Sequence, residues 1–439
     1  MSKWLVIDAA ALGATQFSSF ARDMPCLSKL ANSGFCGAVT PPFPAVTCTS
    51  QATFTTGAAP AAHGIVSNGF FFRDIGRVSF WEQSSSLVGG EKIWQRLRRR
   101  DAFAKTAMLF WQNSIASEND VIVTPQPIHK HNGGMFQSCW SRPGGWYDEL
   151  ARRLGPFKLQ WYWGPLTNIA GSRWIARATL ETLREFSPSL ALTYLPHLDY
   201  GQQKWGPNDP RVVDDFRALD GVLAELCDQS AALGYEICLF GDYAIRPVVR
   251  AANPNIALRD AELLGVRMVN GLEYLDVWNS RAFAVVDHQV AHVYLPRGED
   301  ARAAAIDALH ELRGLARVLD SREFGPFGID HPRSGQLILL AEDDCWFAYP
   351  WWTDPRRAPD FATHIDIHNK PGYDPLEMCF EWLRLRVSQD TSRVRGSHGL
   401  PPQSPADDGL LVLSRPLPNI ADRISLADVG DALINDIAQ

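Results

Sequence analysis

Short apolar runs alternate along this chain with segments whose apolar residues recur every three or four positions. Trp4–Ile7 is such a run and ends on Asp8; it is too short for a helix and reads as a buried strand. Thr106–Phe110, Leu190–Leu195 and Glu236–Phe240 read the same way. The last two follow stretches with helical spacing, Ser172–Phe186 and Pro210–Leu233. Buried strands alternating with helices predict an α/β fold, with a mainly parallel sheet flanked by helices on both faces. Such sheets gather ligands at the carboxyl ends of their strands. Asp8, Asp199 and Asp242 each fall at or just after a strand end, so three carboxylates from distant positions are expected on one rim.

The pattern changes texture between about Arg250 and Asp360. Ala282–Val286, Ala291–Leu295 and Gly335–Ala341 are short β-like runs, and Ala301–Leu315 has helical spacing. We read residues 251–359 as a smaller α+β cap inserted into a catalytic core made of 1–250 and 360–439. The Pro- and Trp-rich Tyr349–Pro355 is the expected return linker, and Pro401–Asp408 an expected surface loop.

Composition narrows the class. Lys+Arg total 42 against 49 Asp+Glu, a net charge of −7, so nothing points to a dedicated nucleic-acid binder. The eight cysteines form no CxxC pair, which argues against a cysteine-built zinc site and for reduced, buried thiols. No basic segment followed by an apolar one opens the chain, and no apolar run approaches the ~20 residues that cross a bilayer. The expectation is a cytoplasmic protein with no membrane association; a homodimer is compatible with it.

The chemistry concentrates in Phe43-Pro-Ala-Val-Thr47-Cys-Thr-Ser50-Gln-Ala-Thr-Phe-Thr-Thr-Gly57, followed by Pro60, His63-Gly64 and Asn68. A Pro-bearing turn into a hydroxyl-rich helix start exposes a side-chain nucleophile and aims helix amides at an anion. A threonine hydroxyl needs a base or a metal to become a good nucleophile, and Asp8 stands ready to hold that metal. The plainer alternative is that Thr47 caps a helix.

These positions, with Asp199-xxx-Gln203 before Gly206-Pro207, Asp242-Tyr243 and Gly396-Ser-His398-Gly399, resemble the type I phosphodiesterase/nucleotide pyrophosphatase family of the alkaline phosphatase superfamily. The resemblance runs from Asp8 to His398 and implies an alkaline-phosphatase-like fold. It implies Thr47 as nucleophile and metal ligand, with Asp8, Asp199, Asp242 and His398 as further ligands of two divalent metal ions, Zn, Mn or Mg. The family has histidines where this chain has Gln203 and Tyr243, so these two are weaker ligand candidates. Losing imidazole shifts a site toward harder ions than zinc. His197 shares a face with Asp199 if the segment is extended; it and His368 are possible substitute ligands, and Asp287-His288 with His292 is a further cluster. Ser50 stands where the family often has a phosphate-binding Asn; Ser50, Asn68 and Lys370 are the candidate contacts to a small phosphorylated substrate. The implied activity is metal-dependent hydrolysis of a phosphodiester, pyrophosphate or related phosphoester through a threonine nucleophile. The alternatives are phosphotransfer or phosphonate hydrolysis on the same scaffold, or a degenerate member that binds a phosphometabolite without turnover.

Overall fold

The computed structural model describes residues 2–131, 134–418 and 420–437. Its centre is a nine-stranded sheet. In spatial order the strands are Arg423–Ser425, Phe35–Thr40, Gly409–Leu413, Tyr235–Phe240, Lys3–Ala9, Leu190–Leu195, Thr106–Leu109, Val121–Pro125 and Cys139–Arg142. The four strands from Tyr235–Phe240 to Thr106–Leu109 run parallel, and Val121–Pro125 continues them. Gly409–Leu413 runs antiparallel to both its neighbours, as does Cys139–Arg142 to Val121–Pro125. The sheet is therefore mainly parallel, as the alternating pattern predicts.

Lys3–Ala9 lies in the middle, and Trp4 through Ala9 are fully buried. That explains a continuous apolar run rather than an alternating one, since both faces are covered. Leu5 and Ile7 join the cluster under the helices Ile169–Phe186 and Val212–Ala232, while Trp4 and Val6 join the opposite cluster with Phe54 and the helix Leu426–Ile437. The parallel register sets Asp8 level with Tyr194 on one side and Phe240 on the other. The residues just beyond those two carry Asp199 and Asp242 to the same end of the sheet.

A second, four-stranded antiparallel sheet runs in the order Phe283–Asp287, Val290–Tyr294, Leu337–Ala341, Leu315–Asp320. The helix expected over Ala301–Leu315 is shorter, Arg302–His310, and Leu315 already opens a strand. The core around this sheet also takes in Phe43, Val66, Phe70 and Phe71 from the early chain. The two-residue turn between its first two strands is His288-Gln289, and His288 takes φ of 61° there, the left-handed region that a Cβ makes costly. Among the described residues, no helix is long and apolar enough to cross a membrane.

Candidate active site

Thr47 is the first residue of the helix Thr47–Thr56, nine of whose ten residues are buried. The helix cap is Val46, with no side-chain capping bond, so the Thr47 hydroxyl is not engaged as a cap. Gly57 ends the helix at φ 66°, a conformation that suits glycine. His63 braces the same helix. Its Nδ1 accepts from the Ile65 amide at 3.1 Å, so Nε2 carries the proton and donates to Thr53 Oγ1 at 3.0 Å. The spacing from Thr47 to Asn68 thus builds a rigid platform under one hydroxyl.

That hydroxyl lies 3.3 Å from the Tyr243 phenol, and its nearness to the Asp242 carboxyl works against the rise that burial causes in the Asp242 pKa. Asp242 is fully buried; its Oδ1 accepts from the Ala11 amide at 3.1 Å, while Oδ2 has no partner. Asp8 is equally buried. Gln51 donates to its Oδ2 at 2.7 Å, and Oδ1 has no partner. The Gln51 carbonyl accepts the Gln112 amide at 2.7 Å, which fixes its NH2 toward Asp8. Burial raises the Asp8 pKa well above the carboxylate range, and the charge of Asp242 adds to it. Burial likewise brings Asp242 up to about 7, with Asp199 contributing.

Asp199 stands in the helix His197–Trp205, four residues before Gln203 and so on the same face. Gln203 Nε2 donates to Asp199 Oδ2 at 2.7 Å, and the Tyr243 hydroxyl to Oδ1 at 3.1 Å. Tyr373 donates to the Gln203 carbonyl at 3.0 Å, which orients that amide. His398 donates from Nδ1 to the Ala45 carbonyl at 2.7 Å. Its Nε2 is therefore a bare lone pair, without a hydrogen-bond partner and 3.9 Å from Asp199 Oδ1. Its ring stacks on Tyr243 at 3.6 Å and meets His288 at 3.7 Å; His288 in turn stacks on Tyr373 at 3.8 Å. Tyr243, His398, His288 and Tyr373 thus form a four-ring column along the site. His288 is held by Asp287 at 2.7 Å, and Asp287 also accepts from Ser67 and Asn68. Burial pushes Asp287 up, but these bonds outweigh it and hold its pKa below the usual value.

The remaining sequence-derived candidates divide. Asn68 lines the cavity beside Thr47, and its carbonyl accepts the Cys48 amide at 3.0 Å. His368 lines the same cavity, with burial lowering its pKa. Ser50 instead donates to the Asp242 carbonyl at 3.0 Å, so it shapes the turn that carries Asp242. His197 does not join Asp199. The segment is helical rather than extended, a two-residue offset points the side chains apart, and His197 lies 3.4 Å from Asp215. Lys370 is not available as an anion contact. It is buried, and its ammonium is engaged by Asp374 at 2.8 Å, Glu377 at 2.7 Å and the His364 carbonyl at 2.9 Å. Sequence reasoning missed Gln51 and Tyr373, whose roles are purely spatial. It named His288 only within a cluster.

The two halves differ as ion sites. Asp8 Oδ1, Asp242 Oδ2 and the Thr47 hydroxyl are oxygen donors, two of them buried without a partner, and they fit one hard cation. Around Asp199 both carboxylate oxygens already accept protons from donors, which a cation would have to displace. Among the described residues, no three His, Cys, Asp or Glu are grouped to hold an ion without rearrangement.

A cavity of about 740 Å³ opens from Thr47, Asp199 and Tyr243. In overall fold the chain is similar to phosphonoacetate hydrolase from Sinorhizobium meliloti, with TM-score 0.65, 17% identity, and coverage of 100% of this chain and 96% of that one. It is also similar to murine ectonucleotide pyrophosphatase/phosphodiesterase 5, with TM-score 0.64, 14% identity, and coverage of 99% and 95%. By sequence it is 25% identical over 200 residues to an uncharacterized pyrophosphatase/phosphodiesterase of Schizosaccharomyces pombe, covering 43% of this chain and 33% of that protein. The aligned stretch is thus about a third of the yeast relative. The sequence model of one family, generally a two-metal-ion enzyme class, matches residues 4–374, a span that runs from the central strand through the cavity wall. On that match the chain belongs to the type I phosphodiesterase / nucleotide pyrophosphatase family.

Proposed function

We propose that the chain is a metal-dependent phosphoester hydrolase, acting on a phosphodiester or related ester through Thr47. One observation carries this reading. A buried helix presents the Thr47 hydroxyl to the Asp242 carboxyl and the Tyr243 phenol at the floor of a large cavity, beside two unpartnered carboxylate oxygens. In the first transfer the Oγ–P bond forms as the bond to the leaving alkoxide breaks, and the proton lost from the Thr47 hydroxyl ends on that alkoxide, which departs as the alcohol. Water then attacks phosphorus, the Oγ–P bond breaks, and one proton of the water restores the hydroxyl. Asp8, Asp242 and Thr47 would hold a divalent ion, with Mg or Mn better suited than Zn to oxygen donors; when bound it supplies electrophilic polarisation of the phosphoryl oxygen. Tyr243, held by Asp199, directs its phenol at the reacting oxygen. All eight cysteines are free, which supports a reducing compartment such as the cytoplasm.

The test is turnover of bis-p-nitrophenyl phosphate with Mn, Mg or Zn by the wild type and by Thr47→Ala. Loss of the nucleophile lowers kcat by about 10³-fold or more, with an unchanged circular dichroism spectrum. Equal rates would refute Thr47 as nucleophile. The capped Asp199 favours a second reading, a binder of phosphorylated metabolites without turnover. A wild type that binds diesters and hydrolyses none of them would establish it.

A further inference from the structure

The cavity above Thr47 is lined by four imidazoles, His129, His288, His364 and His368, but by no permanently cationic side chain among the described residues. Among the described residues that line it there is no lysine and no arginine, while Asp199, Asp360 and Asp366 contribute carboxyl groups. Its wall is largely aromatic and apolar, with Trp81, Tyr162, Trp163, Ile365 and Tyr373 among the lining residues. Tyr373 lies between the two tryptophans, 6.4 Å from Trp81 and 5.9 Å from Trp163 by ring centroids.

Lys370, a cation from the same segment as the lining residues 364–369, takes no part in the lining. Lys370 is buried behind the wall, where it neutralises Glu377 and Asp374. Glu377 in turn accepts from the Trp163 indole and from the Asp366 amide. The buried positive charge therefore positions the aromatic wall and is withheld from any ligand. A chain of phosphates extending from Thr47 would meet carboxylates and rings with no lysine or arginine, and only imidazoles, to offset its charge. A volume of about 740 Å³ accommodates a bulky group.

We infer that the substrate is a phosphodiester carrying a single negative charge and at least one bulky, neutral, apolar or aromatic arm, and not a polyphosphate or nucleoside diphosphate. This rests on the hydrolase reading above, but binding tests it separately from catalysis. The arm lies against Trp163, Tyr373 and Trp81, with the one charged phosphoryl group at Thr47. Trp163 is the residue that sets the preference.

The experiment titrates Thr47→Ala protein, which binds without turnover, with diphenyl phosphate, dimethyl phosphate, adenosine 5′-diphosphate and inorganic pyrophosphate at one fixed Mn concentration. Tryptophan fluorescence or calorimetry gives Kd. Diphenyl phosphate should bind about 100-fold more tightly than the diphosphates, since like-charge contacts cost that much. Equal or tighter binding of adenosine 5′-diphosphate would overturn the inference. Trp163→Ala should weaken diphenyl phosphate about 10-fold through lost ring contact, with dimethyl phosphate unchanged. An equal loss for both would overturn Trp163 as the selectivity residue. If wild type and Thr47→Ala hydrolyse an aryl diester at the same rate, the nucleophile reading fails, and the binding order still decides the substrate class.

Discussion

Asp8 and Asp199 belong to neighbouring parallel strands, one inside its strand and the other in the helix that follows, and both are buried. Their surroundings solve the cost of a buried carboxylate in opposite ways. Asp199 has a donor on each oxygen, Gln203 on one and Tyr243 on the other, with Tyr373 fixing the amide. Asp8 has a single donor, leaves Oδ1 bare and faces Asp242, whose Oδ2 is also bare. Burial raises the pKa of all three carboxyls. A buried charge lacking protein donors is stable only when protonated or paired with a cation. The comparison teaches that Gln203 and Tyr243, the weaker ligand candidates of the sequence reading, act as hydrogen-bond donors to Asp199. Both Asp199 oxygens are thereby satisfied, whereas Asp8 and Asp242 each keep one bare oxygen, which on the function proposed above would receive the ion.

The largest effect that would break this contrast is on ion affinity. Asp8→Asn should weaken Mn binding by at least about 100-fold and turnover by about 10³-fold. Asp199→Asn should change Mn affinity by less than about 10-fold. Calorimetric titration of both variants checks this, and equal losses would show that the halves bind ions alike.

A smaller effect concerns the frame that both halves share. His63 braces the Thr47 helix, and His292 accepts from the Gly335 amide and donates to the Val66 carbonyl beside Asn68. Burial holds both neutral, His63 down to about 3 and His292 to about 4, against an ordinary 6.5. Between these values the unfolded chain takes up protons that the folded one refuses. The stability that these two imidazoles contribute is therefore complete above about pH 6.5 and falls as pH drops toward 4, by an amount on the order of a few kcal/mol, against the opposite trend of the buried Asp8 and Asp242 carboxyls. Urea unfolding from pH 7.5 to 4.5 measures it. His63→Asn or His292→Asn should flatten the dependence.

The smallest effect sharpens the picture of the capped half. Tyr373→Phe removes the donor to the buried Gln203 carbonyl and should cost about 1–2 kcal/mol in urea unfolding. Mn affinity should stay unchanged, because no ion ligand is touched.

Much of the fold was legible in the residue pattern, and the reasons are local. Leu190–Leu195 coincides with its strand, and Pro210–Leu233 contains the observed helix Val212–Ala232. Both are long enough for periodicity to show. Gly409–Leu413 was not legible as an antiparallel strand wedged between Tyr235–Phe240 and Phe35–Thr40, because an apolar run carries no sign of its direction. In the site, Asp8, Asp242 and Thr47 share one rim, as parallel strand ends require. His197 was misplaced because Pro196-His197 opens a helix, and Lys370 because its three acceptors come from folding around it.

Residue order was sufficient to set which chemistry the chain carries and at which end of the sheet it collects. A parallel strand end is a local property, and helical spacing alone puts Asp199 and Gln203 on one face. Which carboxylate is capped, which is left bare and which cation is withdrawn behind an aromatic wall were settled only by packing. Asp199 takes one cap and Asp8 its single donor from other elements, and the supports behind them reach further still, Tyr373 to Gln203 and Trp163 to Glu377. Burial makes those distant hydrogen bonds decisive, because inside the protein no water remains to substitute for them.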